Sequence, residues 1–231
     1  MGFLTPLLDL LFPPRCVICR SRLTADKPGP ATCRDCLAQV PDPSHCCSWC
    51  GHPHAGGVQP CPSCRDKSFS FSRACAVSLY RGELKKTIHR FKYDGRKELA
   101  DPLGKLMARQ VKRSHWPEMD AVVPVPLHYT RLVQRGYDQA LLLAHVIGDE
   151  LRLPVKQILV RKEATPSQTQ LDAKERWHNV ADAFALAPDA DLPGRVLLVD
   201  DLLTTGATAH FAGEALRRAG VAEIYLAVVA R

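Results

Sequence analysis

The chain has 231 residues, is 46% apolar and 24% charged, and carries a formal net charge of +7. This composition excludes a disordered chain. No apolar run reaches eighteen residues, so no membrane-spanning helix is expected. The length suits one ordinary domain plus a small module. At the N-terminus, Phe3, Leu4, Leu7, Leu8, Leu11 and Phe12 fit a short amphipathic helix within residues 1–14, docked on the domain. A basic flank and a small-residue cleavage site are missing there, so the segment does not read as a secretion signal.

Nine of the ten cysteines lie between Cys16 and Cys64. Without a secretion signal, a reducing compartment disfavours disulfides. The spacing favours metal: Cys16-x-x-Cys19 and Cys33-x-x-Cys36, then Cys47-x-x-Cys50 and Cys61-x-x-Cys64. Each pair suits a knuckle supplying two thiolates to tetrahedral Zn²⁺. The segment is rich in Pro and Gly and too poor in aliphatic residues to fold on a core of its own, so metal would supply its folding energy. Two zinc ribbons are expected, Cys16, Cys19, Cys33 and Cys36 forming one and Cys47, Cys50, Cys61 and Cys64 the other. The spacing leaves an interleaved pairing open. Cys46 breaks the two-residue gap to Cys50, and His45, His52 and His54 are read as surface residues.

Residues 74–80 read as a β-strand, with Cys75 a buried apolar side chain. Residues 81–113 form a helical region, with Ile88 and Phe91 on one apolar face and Leu99, Leu103, Leu106, Met107 and Val111 on another. Residues 71–115 hold 12 Lys and Arg against 4 Asp and Glu, so the basicity is local. Lys85, Lys86, Arg90, Lys92, Arg96 and Lys97 beside Phe91 and Tyr93 suit a phosphate backbone with stacked bases, or a pyrophosphate group. Residues 120–125 form a buried strand, followed by a loop over 127–135 containing His128, Arg131 and Arg135. Gly136 opens a helix over 137–151. Short strands are expected over 154–160 and 183–186, separated by a long polar stretch that begins at Arg161.

Residues 196–208 organise the rest. Val196, Leu197, Leu198 and Val199 read as a fully buried strand of a parallel sheet. Asp200 and Asp201 stand where it should end. Leu203, Thr204, Thr205, Gly206, Ala207 and Thr208 then lead into a helix closed by Gly220. A strand, a small-residue loop and a helix N-terminus together present free N–H groups and a positive dipole end to a phosphate. Carboxylates beside them suit ribose hydroxyls, directly or through Mg²⁺. Residues 224–229 form a last strand. The alternation of strands and helices argues a parallel α/β sheet with ligands at the carboxyl ends of its strands. No Ser/His/Asp or catalytic Cys arrangement is evident.

The stretch 196–208 resembles the signature of type I phosphoribosyltransferases, which use phosphoribosyl pyrophosphate (PRPP). Five further stretches extend the likeness: Phe91-Lys92-Tyr93-Asp94-Gly95-Arg96, Val123-Pro124-Val125-Pro126-Leu127-His128, Arg131 through Arg135-Gly136-Tyr137-Asp138-Gln139-Ala140, Thr165-Pro166-Ser167-Gln168, and Glu175-Arg176 with Asn179. Together with the four cysteine pairs they resemble the ComF family across nearly the whole chain. Members of that family often carry Phe-Asn in place of Tyr137-Asp138. The resemblance implies a type I phosphoribosyltransferase-like sheet flanked by helices (residues 71–231) behind an N-terminal segment and double zinc ribbon (residues 1–70). It implies a cytoplasmic protein of DNA uptake that handles single-stranded DNA, here through residues 81–113, alongside protein partners of the uptake machinery. It also implies PRPP binding with Mg²⁺ at Asp200, Asp201 and residues 203–208. A pyrophosphate loop is expected over 126–135, with Arg131 and Arg135, and a mobile hood over 161–179, where Arg161, Lys162 and Lys174 would stabilise charge. Any catalysis would fall to Asp200 and Asp201. A transferase with an unidentified acceptor and a non-catalytic PRPP sensor both fit.

Overall fold

The computed structural model describes residues 13–23, 31–162 and 183–231. The amphipathic helix expected within residues 1–14 and most of the hood expected over 161–179 lie outside the described residues. Four parallel strands form the central sheet: β1 (Arg73–Ser78), β2 (Ala121–Pro124), β5 (Arg195–Leu202) and β6 (Glu223–Ala230), in the order β1-β6-β5-β2. The short β3 (Leu159–Arg161) and β4 (Phe184–Leu186) pair antiparallel beside it. The helices are α1 (Arg34–Ala38), α2 (Gly82–Tyr93), α3 (Ala100–Arg113), α4 (Tyr129–Arg135), α5 (Gln139–Leu151) and α6 (Ala207–Ala219).

The apolar run in β5 is explained by cover on both faces. Leu197 and Val199 join Cys75, Val77 and Tyr225 beneath α2, α3 and α5. Val196 and Leu198 turn the other way, to Leu226, Val228 and Phe184 beneath α6. All four residues are fully buried, and each such side chain contributes about 1.5–3 kcal/mol. β5 continues through Asp200 and Asp201 to Leu202, so the carboxylates stand within the strand's last turn of pleat and not beyond its end.

The ribbon cysteines are part of these same cores. Cys16 and Cys36 belong to the cluster under α2 and α3, and the Thr87 hydroxyl lies 3.1 Å from the Val17 and Ile18 carbonyls. Cys47, Cys50, Cys61 and Cys64 belong to the cluster around Phe71 and α6. The Ala74 N–H of β1 donates to the Ser48 carbonyl at 2.7 Å. A β-carbon on Gly51 would come within 2.9 Å of the Ala76 nitrogen. The ribbon therefore lies directly against the outer edge of the sheet.

Three expectations need correction. Residues 127–135 are not a loop throughout: α4 occupies Tyr129–Arg135, started by the His128 side chain and ended by Gly136 with φ 74°. Gly136 thus closes one helix and does not open the next, which begins at Gln139 with Asp138 as its cap. The helical region expected over 81–113 is present, as two helices parted at Gly95, φ 68°, and a short 3₁₀ turn. Phe91 is fully buried and cannot stack on a base, whereas Tyr93 is 61% exposed.

Candidate functional site

The eight paired cysteines gather as two clusters, Cys16, Cys19, Cys33 and Cys36, and Cys47, Cys50, Cys61 and Cys64. Within each, all sulfurs lie within 4.8 Å of one another. Cys19 and Cys33 are 3.6 Å apart and Cys50 and Cys61 3.8 Å. Tetrahedral thiolates at a Zn–S distance of about 2.3 Å require sulfurs about 3.8 Å apart, so both donor sets fit zinc. The Cys36 and Cys61 N–H groups donate to the Cys33 and Cys47 sulfurs at 3.4 and 3.3 Å, the outer support that steadies metal thiolates. The interleaved pairing is not the one built. Cys46 stands apart, its thiol pushed up to about 11 by burial and by Asp42. Cys75 is a core thiol, pushed up to about 12 by burial.

A second site opens at the carboxyl ends of β2 and β5. It is a cleft of about 160 Å³ lined by Lys92, Arg131, Arg135, Asp138, Arg161, Asp200, Asp201, Thr204 and Thr208. Asp201 is buried, and its Oδ1 lies 2.8 Å from Lys92 Nζ. The Asp201 N–H donates to Asp200 Oδ1 at 2.7 Å. Burial, followed by the adjacent Asp201 charge, raises the Asp200 carboxyl to about 7. Arg161 ends β3 and stacks its guanidinium 5.3 Å from the Phe184 ring. Its Nε is buried without a hydrogen-bond partner. Burial, then Arg131, lowers its pKa from the usual arginine value. A half-buried guanidinium with an unbonded Nε, beside another cation, suits an anion.

The loop after β5 adds a small pocket lined by residues 202–209. Gly206 holds φ 88°, and a β-carbon there would meet Phe69 Cε1 at 2.6 Å, so glycine is required twice over. Thr205 Oγ1 accepts the Ala207 N–H at 3.3 Å, and α6 begins directly behind it. Thr204 is exposed and Thr208 half-buried at the cleft wall. Leu203 is placed differently from the expectation: its side chain is in the core and its N–H donates to the Ala230 carbonyl. It holds the loop's base and offers no donor to a ligand. Arg135 lies in the cleft wall, 5.1 Å from the Tyr93 ring and bonded to Gln139 at 2.8 Å. Arg131 is exposed on α4.

Sequence reasoning placed Lys92 in a basic patch suited to a phosphate backbone or a pyrophosphate group, and missed its pairing with Asp201. The available signal was its position next to the buried Phe91, at the end of an amphipathic helix. It also missed the structural work of Tyr137 and Asp138. The Tyr137 hydroxyl donates to the Phe91 carbonyl. Asp138 accepts the N–H groups of Leu127 and Leu141 at 3.1 and 3.0 Å, fixing the cleft floor to α5.

Residues 7–65 match the family model of the double zinc ribbon domain. Competence protein F of Haemophilus influenzae is 34% identical over 224 residues, covering 94% of this chain and 96% of its own. DNA utilization protein YhgH of Salmonella typhimurium is 32% identical over 223 residues, with 93% and 96% covered. Among solved structures, a glutamine PRPP amidotransferase from B. subtilis aligns over 58% of this chain and 26% of its own, with 22% identity and a TM-score of 0.38.

Proposed function

Because the chain belongs to the ComF (competence protein F) family, we propose that it is a PRPP-binding protein of DNA uptake. The observation that carries this reading is the cleft itself. A carboxylate pair suited to ribose hydroxyls faces Arg131, Arg135 and Arg161, whose Nε has no hydrogen-bond partner, beside a glycine loop and helix N-terminus suited to a phosphate. The 5-phosphate would sit on residues 204–208 and the pyrophosphate among the arginines, with Mg²⁺ as its counter-ion. The zinc ribbons are structural. Single-stranded DNA would lie along the basic surface of α2 and α3, where Tyr93 is the exposed aromatic, and a cytoplasmic location goes with that role. No helix among the described residues is long and apolar enough to cross a membrane.

Calorimetric titration of PRPP with Mg²⁺ into zinc-loaded protein tests the reading. Binding is expected in the wild type and absent in Asp200→Ala/Asp201→Ala. A folded, zinc-loaded wild type that binds no PRPP would overturn it. A transferase is the second reading, favoured by Asp200, whose pKa near 7 suits proton transfer at neutral pH. Pyrophosphate release that depends on an added acceptor would establish it.

A further inference from the structure

We propose that Lys92 is a built-in counter-cation of the Asp200–Asp201 pair, so that these carboxylates meet a sugar's hydroxyls without recruiting a divalent metal ion of their own. The ligand's identity rests on the PRPP reading above, but the charge arrangement does not. Lys92 and Asp201 are in contact at 2.8 Å with only 14% and 10% of their side chains exposed. Little water screens the pair, so the ammonium sits where a metal ion would otherwise gain most. Asp200 already spends one oxygen on the Asp201 N–H. Both oxygens of Asp138, the third acid among the described residues of the cleft, accept backbone N–H groups.

Among the described residues, four cations stand around these carboxylates: Lys92, Arg131, Arg135 and Arg161. A divalent ion seeks several free oxygen ligands and a negative field. Among the described residues, this cleft offers few of the first and lacks the second. Mg²⁺ would then enter only on the pyrophosphate that carries it. Lys92 has a second consequence as a positioning residue: it ties the end of α2, the basic helix, to the end of β5.

The test is Mn²⁺ binding followed by electron paramagnetic resonance, on the full chain with both ribbons zinc-loaded, since thiolate sites prefer zinc over manganese. Wild type and Lys92→Arg should leave millimolar Mn²⁺ free. Lys92→Met should bind it at least about tenfold more tightly, the scale of one exposed carboxylate regained. Wild-type Mn²⁺ binding that is lost in Asp201→Asn would overturn the proposal, and this holds even if Lys92→Met fails to fold. Equal Mn²⁺ affinity in wild type and Lys92→Met would also overturn it. PRPP that binds in neither the presence nor the absence of Mg²⁺ would sink the proposed function, while the Mn²⁺ comparison would still decide the role of Lys92.

Discussion

Asp200 shows how position alone changes a side chain's chemistry. Its carboxyl ordinarily titrates near 3.8, and in the folded chain near 7. The folded state therefore keeps a proton that the unfolded chain releases between these values, and this group's contribution to stability falls as pH rises from about 4 to 7. Asp200→Asn removes that dependence. At pH 8 the variant should melt above wild type, by about 2–4 °C for each kcal/mol relieved. The difference should vanish near pH 4, where wild type is protonated too. Thermal melts across that range check this, and a constant offset would refute it. The acidic pair itself was legible in the sequence because a buried strand, two acids and a glycine loop are contiguous. The pairing of Lys92 with Asp201 was not, because Lys92 reaches the cleft from a distant segment and no local pattern records where a side chain ends up.

At the scale of elements, legibility followed burial. β5 and α6 were plain because four buried residues and the αL Gly220 mark them. α4 was missed because it has no buried residue and thus no apolar stripe. It forms where its two ends are fixed, by His128 at one and Gly136 at the other. The cysteine pairs were equally plain, but their placement was not, since CxxC spacing says nothing of what a ribbon packs against. Cys50 is 2% exposed within the cluster around Phe71, while Cys19 is half-exposed at a rim. Cys50→Ser and Cys19→Ser should each halve the zinc content from two ions per chain, measured by elemental analysis. Cys50→Ser should lower the melting temperature more, because its ribbon carries the core under α6. Equal losses would show that the two ribbons are energetically alike.

For the whole molecule, the basic excess is more selective than its charge count suggests. Lys86 pairs with Glu83, Lys105 with Asp101, Arg113 with Asp42, and Lys92 with Asp201. Lys85 and Lys97 instead lie over the Tyr80 and Tyr137 rings, and Tyr93 stands exposed beneath Arg135. For oligonucleotide anisotropy at several salt concentrations, Tyr93→Ala should weaken binding by about 1–3 kcal/mol with the salt slope unchanged. Lys85→Ala should instead reduce the slope by about 0.7. Binding without any salt slope would remove the nucleic-acid role from this face. One contact at the sheet's edge reaches further than its size. β1 is an outer strand, and the second ribbon occupies its open side through Ser48 and Gly51. A chain without that zinc would lose the cover with it and would present an unpaired strand to other copies of itself. Metal supply would thus govern whether the protein stays dispersed or polymerises edge to edge, making zinc starvation a hazard of aggregation before it is one of lost binding.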